Sequence, residues 1–255
     1  MKLEERIYKG GYKMLNTQLT KILKIFSNRI LETREEALKT IIIKERCVIN
    51  YIGEHSKSLE DELQALFHYI YLFCRGYSIS IKPSQFRSTW WIDEITNIEN
   101  KPPRPMLWID AEEYCESKKQ LEIAVQLKKF CDVGLCIQLK SPSFLEDVAK
   151  CIDNNIHIRL CKGAYKPKRG INRKELLTNA ELAIEICEEA DKFYLLEIAT
   201  IKDYDLVLLA MKYGLVLQLL YGWDGEFKDY PYGTRIYIPF GTHWMPYILR
   251  RLRGA

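Results

Sequence analysis

Histidine is scarce in this chain. Only four occur in 255 residues, His55, His68, His157 and His243, and no two stand four apart, the spacing that would put a pair of imidazoles on one helical face. The eight cysteines form no CxxC pair and no Cys/His cluster at metal spacing. A dedicated zinc site is therefore not expected, and the cysteines read as small core hydrophobes in a reducing compartment. The first residues, Met1-Lys-Leu-Glu-Glu-Arg6, lack the apolar core of a secretion signal. The most hydrophobic stretch, Leu206 to Gly222, is interrupted by Lys212, Gly214 and Gln218, which suits a helix and a strand but not a membrane span. There is also no basic arm or stripe. The net charge of +4 is dispersed among interleaved acidic and basic residues, which argues against nucleic acid as a partner. No repeat of 20 to 50 residues and no long polar linker divides the chain.

What remains is a chain that is 47% hydrophobic and 28% charged, long enough to bury a large core. Residues 3 to 45 read as helical, with Thr33 and Glu36 forming a capping box between two helices. We take residues 1–45 as an N-terminal helical arm and 46–255 as one domain. From Cys47 onward, short apolar runs alternate with amphipathic helices. The runs are Cys47 to Ile52, Tyr77 to Ile81, Met106 to Ile109, Gly134 to Leu139, Ile156 to Cys161, Tyr194 to Ala199, Leu215 to Leu220 and Arg235 to Ile238. Helical stripes such as Leu63, Leu66, Phe67, Ile70, Tyr71 and Cys74, or Leu176, Ala180, Ala183, Ile184 and Cys187, lie between them. The interval Gln85 to Pro105 offers only a short helix around Trp90, Trp91 and Ile95. Eight strand–helix units predict an α/β fold of the (β/α)8 TIM-barrel type.

In such barrels the active site lies where the strands end. Here the ends carry Glu54, Lys82, Asp110, Gln138, Arg159 with Lys162-Gly163-Ala164-Tyr165, Thr200, Tyr221-Gly222 and Tyr237. Singly, each has a plain alternative: Asp110 could cap a helix, Lys82 could be a solvated loop residue, and Gly163 could make a turn. Jointly they describe a cationic pocket with aromatic walls, suited to an anion. Near residue 250 a helical pattern puts Tyr247, Arg250 and Arg251 on one face, a candidate clamp for a carboxylate. The plain alternative there is a basic last turn complementing the helix dipole.

Several of these segments together resemble flavin-dependent proline dehydrogenase. They are Ile158-Arg-Leu-Cys-Lys-Gly-Ala-Tyr165, Arg235-Ile-Tyr-Ile-Pro-Phe-Gly241, Tyr247-Ile-Leu-Arg-Arg251, Ile79-Ser-Ile-Lys82, Ile109-Asp-Ala-Glu-Glu113, Ile137-Gln138 and Leu217-Gln-Leu-Leu-Tyr-Gly222, in the family's order over about residues 47 to 252. The resemblance implies FAD-dependent oxidation of L-proline to 1-pyrroline-5-carboxylate, with electrons passed to a quinone or another acceptor. It implies that Arg250 and Arg251 bind the proline carboxylate, that Lys82, Leu220, Tyr237 and Tyr247 enclose the ring, and that Glu54 pairs with Arg250 as a gate. Asp110 and Arg159 would be the catalytic polar residues. Ala111, Gln138, Arg159, Lys162, Gly163, Ala164 and Thr200 would hold FAD.

Other readings stand beside it. Lys82 or Lys162 could serve as a Schiff-base amine, or the barrel could be a flavin-less relative acting as a binding or subunit protein. The arm could pack across the barrel as a lid or rest on an anionic membrane surface, so the expected location is cytoplasmic, either free or peripheral on the inner face of the membrane. Assembly into an oligomer is left open. Two features depart from the family pattern: Ile201-Lys202 stands where the family has His followed by Asn or Asp, and the sequence stops at Ala255, where the family helix runs on into a Glu. They predict weaker flavin retention than in a typical member. Extensive dialysis of FAD-loaded protein should strip the flavin, and tight stoichiometric retention would contradict the expectation.

Overall fold

The computed structural model describes residues 31–41, 43–53, 56–98, 105–163, 170–200, 203–222 and 233–244. Eight parallel strands close into a barrel in sequence order. They are β1 (Cys47–Tyr51), β2 (Ser78–Ile81), β3 (Met106–Ile109), β4 (Asp132–Gln138), β5 (His157–Cys161), β6 (Leu196–Thr200), β7 (Val216–Leu220) and β8 (Arg235–Phe240). All eight expected strands are present, with ends shifted by at most two residues. The (β/α)8 expectation is met.

The described helices are α1 (Arg34–Lys39), α2 (Leu59–Cys74), α3 (Trp90–Thr96), α4 (Ser117–Lys128), α5 (Phe144–Asp153), α6 (Arg173–Glu189) and α7 (Tyr204–Tyr213). The Thr33–Glu36 capping box forms at the start of α1: the Thr33 hydroxyl accepts from Glu36 N–H, and the Glu36 carboxylate accepts from Thr33 N–H. Ser58 and Asp61 make the same reciprocal box on α2, and Asn172 and Asp203 cap α6 and α7. The arm upstream of Leu31 lies outside the described residues.

The two faces of each strand have different jobs. Outward positions such as Ile49, Ile79, Ile81, Leu107, Ile109, Leu135, Ile158, Leu160, Ile198 and Ile236 pack with the helices into one continuous core. The alternate positions point inward and are mostly polar: Asn50, Ser80, Arg159, Glu197, Gln218 and Tyr237. Register confirms the alternation, because Cys136 pairs with Arg159, Arg159 with Glu197 and Gln218 with Arg235.

The stripe expected on α6 is the one buried, Leu176, Ala180, Ala183, Ile184 and Cys187. On α2 the expected stripe is right for Leu66, which is buried, and for Ile70 and Tyr71, which pack against the core, but the buried face is rotated from its other half. The buried face is Glu62, Ala65, Leu66, Tyr69, Leu72 and Phe73, whereas Leu63, Phe67 and Cys74 are exposed. This helix carries apolar residues on two faces, so spacing alone could not choose between them. Arg34 stacks over Phe67 and Tyr71, and its guanidinium offers the outer face a partner that the core does not.

One glycine sets the barrel floor. A Cβ on Gly134 would lie 2.4 Å from the Trp108 ring, its register partner on β3. Trp108, fully buried, occupies the space that a β4 side chain would otherwise take. Gly134→Ala should therefore destabilise the fold by about 1–3 kcal/mol through overpacking, measured as a lowered midpoint in urea denaturation.

Candidate active site

Four of the residues singled out from the sequence meet in one buried network at the mouth of the barrel. Lys82 directly follows β2, Asp110 directly follows β3, Arg159 is central in β5 and Tyr237 central in β8. Asp110 is the hub. One of its oxygens, Oδ1, accepts from Ser80 Oγ at 2.6 Å and from the Arg159 guanidinium; the other, Oδ2, lies 2.9 Å from Lys82 Nζ and accepts from the Tyr237 hydroxyl. Lys82 also donates to Asn50 Oδ1 at 2.9 Å, and Arg159 donates to Gln218 Oε1 at 2.8 Å. The Arg159 guanidinium lies 4.6 Å from the Trp108 ring centroid and 5.5 Å from that of Tyr237, held against aromatic faces.

The plain alternatives for these residues do not hold. Lys82 is 4% exposed rather than solvated, and Asp110 caps no helix, since α4 begins after Glu116. Lys82 is also fixed by its backbone: its N–H donates to Gln85 Oε1, which accepts as well from Tyr69, while Gln85 Nε2 donates to the Tyr51 carbonyl. Burial alone would raise the Asp110 pKa. The charges of Lys82 and Arg159, with hydrogen bonds from Ser80 and Tyr237, override that and hold the carboxyl well below the usual carboxylate range. Deeper in the barrel, Glu197 behaves in the opposite way. Burial pushes its carboxyl up despite Arg235, whose Nε lies 2.7 Å away.

Other expected residues line the rim. Leu220 is buried and pairs in register with Tyr237, giving a joint apolar and aromatic wall. Gln138 ends β4 and donates to the Glu112 carbonyl at 2.7 Å, while Ala111 sits half-buried just beyond Asp110. Lys162 and Gly163 follow β5, and Gly163 has φ +98°. A Cβ there would come within 3.1 Å of Gln138 Oε1 and 3.2 Å of the Tyr114 hydroxyl, so the backbone is both left-handed and closely approached. Thr200 ends β6. Alternation puts it on the helix side with Leu196 and Ile198, and Ala199 is the residue that points inward. Glu54, Ala164, Tyr247, Arg250 and Arg251 lie outside the described residues.

Among the described residues, the inward-facing buried polar atoms without a hydrogen-bond partner include Gln138 Oε1 and Gln218 Nε2, with Trp108 Nε1 and Glu197 Oε2 in the barrel beside them; Thr200 Oγ1 is also unpartnered, on the helix side. Gln138 Oε1 and Gln218 Nε2 are an acceptor and a donor on two different strands, which a flat heteroaromatic ligand with mixed edges could satisfy. Beside them is a concentration of positive charge. Burial and the neighbouring Lys162 and Arg173 lower the pKa of Lys140, which follows β4.

Sequence reasoning missed Asn50, Ser80 and Gln218 as members of this network. Each is a polar residue at an inward position of an otherwise apolar strand, and that alternation was the available signal.

No protein-family model matches the chain. Two curated relatives do, proline dehydrogenase 1 from Bacillus subtilis strain 168 and from Bacillus subtilis subsp. natto, each 25% identical over 281 residues, covering 93% of this chain and 91% of the relative. The chain is a distant homologue of these two proteins. A solved Yersinia pestis DHPS structure with a pterine-sulfa conjugate aligns at 13% identity with a TM-score of 0.42, over 84% of this chain and 96% of that one.

Removing the hub charge should cost more than any single hydrogen bond. Asp110→Asn leaves two buried cations facing each other, and we expect a loss of about 3–5 kcal/mol at neutral pH. The wild-type carboxyl is depressed by folding, so its contribution is complete above the unfolded value of about 4 and is lost as pH falls below that. Urea denaturation at about pH 7 and about pH 3 should show the wild type losing stability at acid pH, with the Asp110→Asn variant falling less steeply.

Proposed function

We propose, from the distant homology to proline dehydrogenase 1, that this chain is a flavin-dependent dehydrogenase that oxidises L-proline to 1-pyrroline-5-carboxylate and passes the electrons to a quinone-type acceptor. The observation that carries the proposal is the buried Lys82–Asp110–Arg159–Tyr237 network. It stands at the strand ends of a closed barrel, in a chain aligned with that relative over 93% of its length.

The residues present fit FAD. The orphaned Gln138 Oε1 and Gln218 Nε2 would meet complementary edges of a planar ring system, as would Thr200 Oγ1 if its rotamer turned toward the strand end. The Gly163 backbone leaves no side chain in the way, and Lys162, with Ala111, Arg159 and Ala164, completes the proposed cofactor set. When bound, FAD supplies the two-electron acceptor for the hydride that leaves the ring carbon next to the proline nitrogen.

The protein's part is to orient and to exclude water. Arg250 and Arg251 are proposed to take the carboxylate bidentately, with Tyr247 beside them and Glu54 pairing with Arg250 as a gate. Leu220 and Tyr237 would press the pyrrolidine ring from one wall. Asp110 is a poor proton acceptor, because its two cationic neighbours disfavour its protonated form; its task is to fix Lys82, Arg159 and the Tyr237 hydroxyl in place. Arg159 would stabilise negative charge as it develops on the acceptor. A Schiff-base role for Lys82 is disfavoured because its amine is already engaged by Asp110 and Asn50.

Residues 46–255 would be the catalytic barrel and 1–45 its arm. No described helix is long and apolar enough to cross a membrane.

The test is an anaerobic titration. Protein supplied with FAD should show a flavin spectrum that L-proline bleaches, and Arg250→Ala or Arg251→Ala should each lower kcat/KM about 10²-fold or more, as expected for loss of a charge-assisted carboxylate contact. Bleaching that survives removal of both arginines would refute the clamp. Absence of any flavin spectrum would favour a flavin-less binding or subunit protein.

A further inference from the structure

Two thiols face each other across adjacent strands at the barrel mouth. Cys136 on β4 and Cys161 at the end of β5 have their sulfurs 3.3 Å apart, and both are partly exposed. Cys136 is the register partner of Arg159, and Cys161 that of Gln138, so the pair lies diagonally across the β4–β5 ladder with a guanidinium beside it. Both sulfurs occupy inward positions, away from the apolar core that holds Cys47, Cys151 and Cys187.

We propose that Cys136 and Cys161 form a reactive dithiol site that takes low-molecular-weight disulfides and closes into an intramolecular disulfide. The inference rests on the sulfur geometry and is independent of the dehydrogenase reading.

The guanidinium of Arg159, register partner of Cys136, stands beside the pair and favours a thiolate there. The contact with the Cys161 sulfur, opposed by burial, and then the Arg159 charge hold the Cys136 thiol below its usual range. The same contact and burial raise the pKa of Cys161. Elsewhere burial, the main cause, pushes Cys47 up to about 12 and Cys187 up to about 11, the behaviour of inert core thiols.

In the first step the Cys136 thiolate attacks one sulfur of the disulfide, forming a mixed disulfide and releasing one thiolate. Cys161, deprotonated, then attacks the Cys136 sulfur and releases the second thiolate. Two cysteine thiols are oxidised, one disulfide is reduced to two thiols, and the two cysteine protons end on those products. Closure requires the sulfurs to approach from 3.3 Å to a bond length of about 2.05 Å, and because the pair is diagonal, with Cα atoms about 7–8 Å apart, the end of β5 must also shift toward β4.

The test uses the full chain carrying Cys74→Ser and Cys115→Ser, which removes the two exposed thiols. Glutathione disulfide should lower the intact mass by two hydrogens, and peptide mapping without reductant should recover the Cys136–Cys161 link. Phenylarsine oxide, a dithiol reagent, should bind once per chain. Adding Cys161→Ser should trap one glutathione on Cys136, and adding Cys136→Ser should abolish adducts at Cys161, with circular dichroism confirming that each variant is folded. The proposal is overturned if both thiols stay reduced in the folded protein and react only in urea. It is equally overturned if the Cys161→Ser variant accumulates no adduct on Cys136.

Discussion

A single buried carboxylate holds the mouth of this barrel together. Asp110 gathers a lysine from the end of β2, an arginine from β5 and a tyrosine from β8, so strands on opposite sides of the barrel are joined through one side chain. Among the described residues both cations, Lys82 and Arg159, contact this carboxylate, while Glu197 lies deeper with Arg235. Two cations are thereby fixed where the strands open, and their field favours an anion at that end of the barrel. Ser80, Asn50 and Gln218 complete the hydrogen bonding that keeps such a cluster tolerable in a low-dielectric site.

This arrangement is possible because stability and chemistry are assigned to different faces of the same strands. TIM-barrel interiors are usually filled by bulky branched side chains. Here the branched residues lie mainly on the outer face, where they pack against the helices, and the inward positions hold charged, amide and hydroxyl groups. The Trp108 indole then closes the space beneath the cluster, lying over Gly134 and against the Arg159 guanidinium.

The sequence was most legible where one physical signal dominated. Eight apolar runs marked the strands, and α6 showed its buried stripe, because one face of that helix is apolar and the other is not. The site was legible at strand ends, where a polar residue interrupts an apolar run. It was less so within strands: Asn50, Ser80 and Gln218 stand inside apolar runs and were not assigned to the site, although period-two alternation assigns them to the interior. α2 was read only in part for the converse reason: apolar residues lie on both faces, so Leu66, Ile70 and Tyr71 reach the core while Leu63 and Phe67 do not. Thr200 shows the limit of reading by position alone, since proximity to a strand end says nothing about which face a residue occupies.

The bridge between Leu31 and Phe240 adds a point of topology. Leu31 pairs in parallel with the last residue of β8, and its carbonyl accepts from Gly241 N–H. From there α1 leads the chain back to the start of β1. The polypeptide thus joins the barrel at the rim that carries the polar cluster, as a rope is made fast at the open end of a cask. Any pull or displacement applied upstream of Leu31 would be delivered first to the C-terminal end of β8, three residues beyond Tyr237, so the mooring point of the chain and the wall of the pocket share one short length of strand.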